Sequence, residues 1–415
     1  MVWNSNRGGG IGRRRLTMLR VTSPSRDVDS GVLRAGSGLG VGLEWRRALD
    51  GALDGALAPL NGEPPDLLVL FVSADYGEDF GEVLAAAGLR SGAREIVGCS
   101  ASGVIASARE VEDEPGVAAL ALRLPPGALL EVGRVPAGRV AGGRPLQMAK
   151  SDCTGLIVLA DPFTTDAMAL IEGLEHEYPG VPIVGGMATG EPGVRATSVF
   201  RGGQVMTGAV VIGLGGGVRL LPVVSQGCEP IGESWTITDV EGNVIKTIGG
   251  RPAYEVLVNT VRGLDAERSE RVNGNLLIGL AMDEYRDQFG RGDFLIRNLL
   301  GADPKTGAIA VAAQTRVGQT LQFQIRDARA ADEELQTMLG AVGGPNKPAA
   351  ALLFACNGRG AGLFGAPDHD ARTVHTVLGP LPLAGLFCNG EIGPVGTSTY
   401  IHGFTASLAL LATVG

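Results

Sequence analysis

Between residues 349 and 396 two short apolar runs break at the same tripeptide. Residues 350–355 (AALLFA) end in Cys356-Asn357-Gly358, and residues 381–387 (LPLAGLF) end in Cys388-Asn389-Gly390. Apolar runs of this length bounded by glycine predict strands buried on both faces. The polar stretch between them, residues 368–378, carries helical spacing. Two parallel strands joined by that helix would open both Cys-Asn-Gly turns on one sheet edge, where open α/β sheets usually hold ligands.

The same unit recurs upstream. In a first copy, residues 67–72 (LLVLFV) predict a strand, 81–89 a helix, 95–98 a second strand opening into 99–103, and 117–124 a third strand. In a second copy the matching segments are 155–159, 166–178, 182–185 opening into 186–190, and 209–214. The third copy runs through 352–355, the polar helix, 383–385 opening into 386–390, and 405–412. The pairs Gly98/Gly103, Gly185/Gly190 and Gly385/Gly390 keep one spacing, and the first-to-second strand intervals are 29, 27 and 31 residues. Internal duplication follows. With it comes an α/β fold class of two related domains, built from repeated strand-helix-strand-strand units with mixed sheets. Residues 276–280 through 308–313 offer a fourth, degenerate copy without a proper helix, giving two copies per domain joined near residues 220–227. The expected boundaries are a disordered Arg-rich tail at 1–30, a first domain at 31–220 and a second at 221–415.

Other segments read more simply. Leu43, Leu49, Leu53 and Leu57 share a helical face within residues 40–57. Residues 236–247 alternate like a hairpin about the turn Glu241-Gly242-Asn243. Residues 252–262 read as a helix with Pro252 in its first turn, 317–326 as a strand exposed on one face, 330–339 as an amphipathic helix and 341–348 as a linker.

Composition narrows the classes. Hydrophobic residues make up 45% of 415, enough for full cores, and 65 glycines without a Gly-X-Y period favour a loop-rich fold over collagen. Net charge is −9, but residues 1–26 hold six arginines and no acid, which leaves −15 for the remainder. So acidic a body excludes nucleic acid as the main partner. The tail reads as a disordered extension, or as sequence upstream of a start at Met18. Arg13-Arg14-Arg15 is followed by no apolar signal core, and no run approaches the roughly 18 apolar residues of a membrane span. Five scattered cysteines without a C-x-x-C pair suggest neither a disulfide framework nor a zinc site. A cytoplasmic protein without cofactor or metal is expected.

The candidate chemistry lies around the two matching turns. Asn357 and Asn389 offer donors and an acceptor each. Arg359 can grip a carboxylate bidentately, and Glu391 or Asp370 can pair with an ammonium group, so both signs needed by an amino-acid zwitterion are present. Arg359 paired internally with Asp370 or Glu391 is the simpler alternative. Cys356 and Cys388 border the same turns, and Arg297 is a lone cation within an apolar run that calls for a partner if buried. Thiolate chemistry at Cys356 or Cys388 would need a base such as His369, His375 or His402 within reach. Cysteines that end apolar runs are more often small buried hydrophobes, so no catalytic residue is assigned.

Several of these motifs resemble the FIST family, the F-box and intracellular signal transduction proteins. They are SQGCEPIG at 225–232, EGNVI at 241–245, GRGDFLIRN at 290–298, FACNGRG at 354–360, LFGAPDHD at 363–370 and FCNGEIGP at 387–394. The resemblance covers about residues 31–412, as an amino-terminal and a carboxy-terminal FIST segment, and is tighter in the latter. It implies a sensory module for small ligands, with amino acids proposed, and no settled catalytic residues. Without an output domain in the chain, the implied signal would pass to a separate signalling protein. The ligand-binding set read from the sequence is Asn357, Arg359, Asn389, Glu391, Cys356, Cys388, Asp370 and Arg297. A cysteine-dependent hydrolase or transferase, and an interaction scaffold without a small ligand, stand as the alternative functions.

Overall fold

The computed structural model describes residues 31–138, 144–190, 197–272, 274–286, 288–342 and 347–414. The arginine-rich stretch of residues 1–30 lies outside them.

The chain is mixed α/β, and the repeated unit occurs three times. In each unit the first and second strands run parallel: Leu67–Ser73 with Glu95–Ala101, Cys153–Ala160 with Ile183–Met187, and Ala350–Cys356 with Leu383–Cys388. A helix joins each pair, at Phe80–Ser91, Ala167–Glu177 and His369–Leu378. The third strands, Gly116–Arg123, Ala209–Gly215 and Ala406–Thr413, pair antiparallel with the first, so the sheet of each unit is mixed. Beyond each third strand lies a strand that the apolar pattern did not single out: Arg34–Val41, Leu129–Val135 and Val218–Ser225.

The glycine that precedes each turn has a packing cause. In the register, Gly98 faces Leu70, Gly185 faces Val158 and Gly385 faces Leu353. A Cβ at any of the three would run into the carbonyl oxygen of that facing residue. The equal spacing in the sequence thus records equal backbone approaches in three sheets.

Each sheet is completed by a neighbour. After its second strand every unit sends out a hairpin that adds to the sheet of another unit. Val104–Ala106 of the first unit pairs with the third unit's Leu383–Cys388. Val199–Arg201 of the second pairs with Glu95–Ala101 of the first, and Glu391–Val395 of the third with Ile183–Met187 of the second. The exchange closes on itself, which relates the three units around a common axis. Their inner sheet faces share one apolar core, where Phe71, Leu159 and Phe354 occupy equivalent register positions and the Phe71 and Phe354 rings meet edge to face at 6.2 Å. The outer faces are covered by the helices in three separate clusters, including Trp45–Leu57 on the first unit and Ala328–Gly340 on the third. Strands buried on both sides explain why these runs alternate so little.

Residues 276–313 are not a fourth copy. Leu276–Ala281 pairs antiparallel with both Phe294–Asp303 and Thr320–Arg326, inside a seven-stranded sheet inserted within the third unit, between Val218–Ser225 and Ala350–Cys356. Without a crossover helix the chain can only turn back on itself. The expected hairpin in this insert is present, Cys228–Glu241 with Val244–Ile248 closing at Glu241 and Val244. The helix after Pro252, Ala253–Arg262, covers one face of the sheet.

Among the described residues no helix is long and apolar enough to cross a membrane.

Candidate functional site

The three turns after the second strands meet at one end of the axis. Main-chain bonds link them cyclically: Ser100 N donates to Ser198 O (2.9 Å), Met187 N to Gly390 O (2.9 Å) and Phe387 N to Gly103 O (3.0 Å). Counted from the repeated glycines, Ser102, Thr189 and Asn389 occupy the same position of the three turns. Ser102 N and Oγ both donate to Thr189 Oγ1, at 2.8 and 3.2 Å, and Thr189 Oγ1 donates to Phe387 O at 2.8 Å. Asn357 then bridges the turns. Its Nδ2 donates to Asn389 Oδ1 at 2.8 Å, and its Oδ1 accepts from Ser102 Oγ at 3.0 Å. Asn357 and Asn389 remain exposed.

Ser102, Asn357 and Asn389 line a cavity of about 780 Å³ to which all three units contribute. Its rim is acidic, with Asp75, Glu112, Asp113 and Glu114, and no lysine or arginine lines it among the described residues. Glu112 Oε1 accepts from Ala361 N at 2.9 Å, and burial raises its carboxyl above the usual range. The adjoining Glu110 Oε1 accepts from Ala371 N, in the first turn of His369–Leu378. The first unit's hairpin therefore places carboxylates at the amino end of the third unit's helix, where unengaged N–H groups favour them.

The charged residues expected to face a ligand turn inward instead. Arg359 is 1% exposed and donates to Asp370 through Nε at 2.6 Å and Nη2 at 2.9 Å. Burial disfavours the charged Asp370, but the Arg359 guanidinium outweighs it and holds the carboxyl down at about 2. The simpler of the two sequence readings, an internal pair, is the one the geometry contains. Glu391 is fully buried: Oε2 accepts from Thr405 N (3.1 Å), and Oε1 from Gly390 N (3.3 Å) and Cys388 Sγ (3.5 Å). Burial pushes its carboxyl up to about 8 against these donors. Glu391 and Arg359 thus shape the turns from behind. Arg297 does not line this cavity and has no acid partner among the described residues. It donates to Ile401 O and Ile296 O, and burial lowers its guanidinium from the usual range.

Neither Cys356 nor Cys388 is bonded to an imidazole among the described residues. Cys388 is buried and Cys356 half-buried, and burial raises both above an ordinary thiol. The histidines of this half engage other groups: His369 engages Asp370 and Asp332, His375 Leu381 O, and His402 Gly393 O.

The profile of the FIST N domain matches residues 66–251 and that of the FIST C domain matches residues 253–394. The chain is 40% identical over 387 residues to the uncharacterized protein Rv0628c of Mycobacterium tuberculosis, covering 91% of this chain and 99% of that one. It is 39% identical over 383 residues to the uncharacterized protein Mb0898c of Mycobacterium bovis, covering 91% and 98%. A solved structure described as "Cyanuric acid hydrolase: evolutionary innovation by structural concatenation" overlays with a TM-score of 0.32 at 8% identity, over 92% of this chain and 100% of that one. A likeness that low carries no argument.

Proposed function

The chain belongs to the FIST family, and from that premise we propose that it is a cytoplasmic sensory protein. Its ligand is a small polar molecule, an amino acid or a similar small amine, held in the axial cavity. The observation that carries the reading is the pair Asn357–Asn389, joined at 2.8 Å inside a cavity whose rim carries four carboxylates and no cation among the described residues. An ammonium group is attracted by that rim, while the amide groups and the Ser102 hydroxyl select orientation by hydrogen bonding. Asn357 and Asn389 contact the ligand; Arg359, Asp370 and Glu391 hold the turns in place.

The cavity lies where all three units touch, so a ligand that favours one arrangement of the units shifts their balance. A separate signalling protein reads that shift. A cysteine-dependent hydrolase or transferase has no support here, because neither Cys356 nor Cys388 is bonded to an imidazole among the described residues. Thermal-shift screening of the full chain against amino acids and small amines tests the proposal. A saturable rise in melting temperature supports it, and none at millimolar concentration counts against it.

A further inference from the structure

Away from the axial cavity, the junction between the inserted sheet and the third unit gathers buried donors that no acceptor engages among the described residues. Gln324 and Arg326 are two apart on Thr320–Arg326 and share one sheet face. On that face Cys228 is the cross-strand partner of Arg326 and packs with Leu277, Phe294 and Ile296, and Phe404 lies against the cluster. The third unit meets this face through its 356–359 turn. A Cβ on Gly358 would lie 2.6 Å from Nη2 of Arg326, and one on Gly227 would lie 3.0 Å from Nη1 of Arg359. Two guanidinium groups therefore flank the 226–228 turn, and glycines at both contact points let them approach the backbone.

Several N–H groups here meet no acceptor among the described residues. Arg359 engages Asp370 through Nε and Nη2, but its Nη1 meets no acceptor among the described residues. The same is true of Nε and Nη2 of Arg326, Nε2 of Gln226 and Nε2 of Gln324. Gln226 is 3% and Gln324 2% exposed. Buried polar groups are ordinarily hydrogen-bonded, so several orphaned donors in one place call for an acceptor.

The charges point the same way. Arg359 is balanced by Asp370, whereas Arg326 forms no ion pair among the described residues and rests over the Phe404 ring at 5.1 Å. Two carboxyls come near. Glu334 Oε2 accepts from Gly227 N at 2.7 Å, and Glu391 is engaged by its own turn. Burial raises both, and their oxygens accept from the main-chain N–H groups of Gly227, Gly390 and Thr405, with no ion pair to Arg326 among the described residues. Arg326 is half-buried, but its Nε and Nη2 are buried without a partner among the described residues, and desolvating a cation in that way is unfavourable.

We propose that this junction binds a small oxyanion, a carboxylate or a phosphate group. Arg326 grips it through its guanidinium edge, and Arg359 Nη1 and Gln226 complete the donor set. None of these donors lines the axial cavity, and Arg326, Cys356, Gly358 and Phe404 at the junction are half-buried. Because the donors come from the inserted sheet and from the third unit, the anion ties the two together.

The test is the melting temperature of the full chain in sodium acetate and in sodium phosphate, against sodium chloride at matched ionic strength. The expected result is a saturable rise of several degrees in at least one of the two arms, absent in Arg326→Gln and retained in Asn389→Ala. A rise in acetate alone marks a carboxylate site, and one in phosphate alone marks a phosphate site. A second measurement needs no variant. The anion that raises the melting temperature should slow alkylation of the half-buried Cys356 several-fold in the wild-type protein. No saturable rise in either arm, a rise that a folded Arg326→Gln protein shares, or Cys356 alkylation indifferent to both anions overturns the proposal.

Discussion

Arg359 and Asp370 form a two-bonded ion pair, at 2.6 and 2.9 Å, from which solvent is excluded on both sides. The turn that carries Asn357 is anchored to the helix His369–Leu378 by this pair, so the pair sets where Asn357 stands. Asp370→Asn leaves a buried guanidinium without its counter-charge and is expected to cost about 3–5 kcal/mol. Urea denaturation at neutral pH checks this. A cost below about 1 kcal/mol, the range of an exposed pair, would show that the bond does not hold the turn.

The buried carboxyl of Glu391 gives stability a pH dependence of known sign. Its folded value near 8 lies above the ordinary glutamate value of 4.5, so the fold holds a proton that the unfolded chain has released. Stability is therefore greatest below about 4.5 on this account and is lost as pH rises towards about 8. Glu110, raised to about 7 by burial and then by Asp370, acts in the same sense. His402, lowered to about 4 by burial, acts oppositely, since its contribution is lost as pH falls from about 6.5. The interval from about 6.5 to about 8 thus isolates the carboxyls. Glu391→Gln should flatten the fall of the denaturant midpoint across that interval, and an unchanged slope would contradict the assignment.

The thiols should be unreactive. Cys99, Cys153, Cys228 and Cys388 are buried and Cys356 is half-buried, with burial raising each above an ordinary thiol. Iodoacetamide at neutral pH should modify Cys356 slowly and leave the others untouched in the folded protein, as mass spectrometry of tryptic peptides would show. Complete modification of Cys356 or Cys388 within minutes would bring the cysteine-enzyme reading back.

Gly185 has no room for a methyl group, because a Cβ there would overlap the Val158 carbonyl oxygen. Gly185→Ala must separate two paired central strands, at a cost of about 1–3 kcal/mol or more. Gly180→Ala, in the same unit, meets no atom within 4 Å and tests only its positive φ of 77°. A smaller loss in Gly185→Ala than in Gly180→Ala would remove the packing explanation for the repeated glycines.

The repeated strands and helices were legible because period and length sufficed: runs such as LLVLFV are too short and too apolar to be anything but central strands. The exchanged hairpins were not, since Val104–Ala106 and Val199–Arg201 are three residues long and gain their pairing from a distant unit. The leading strands escaped for a related reason: Arg34–Val41 mixes glycine, serine and arginine, and its burial comes from the helix packed on it. The false fourth copy arose because Leu276–Ala281 is as apolar as a parallel strand, although its neighbours are antiparallel. In the site, the juxtaposition of Asn357 and Asn389 followed from two like turns on parallel strands. Ser102 and Thr189 share the repeat position of Asn389, and that shared position was the available signal for them. The acidic rim at 112–114 carried no signal, because only the hairpin exchange brings it to the third unit's turns.

The proposed function rests on Asn357 and Asn389 as the contacts for a small amine in the axial cavity. Its most direct test is isothermal titration of the full chain and of Asn389→Ala with the amino acid or amine that gives the largest thermal shift. The account predicts saturable one-to-one binding to the wild-type protein, weakened at least about tenfold in Asn389→Ala, a loss of about 1.4 kcal/mol, with the melting temperature of the free variant nearly unchanged. Equal affinity in a well-folded Asn389→Ala protein would contradict it.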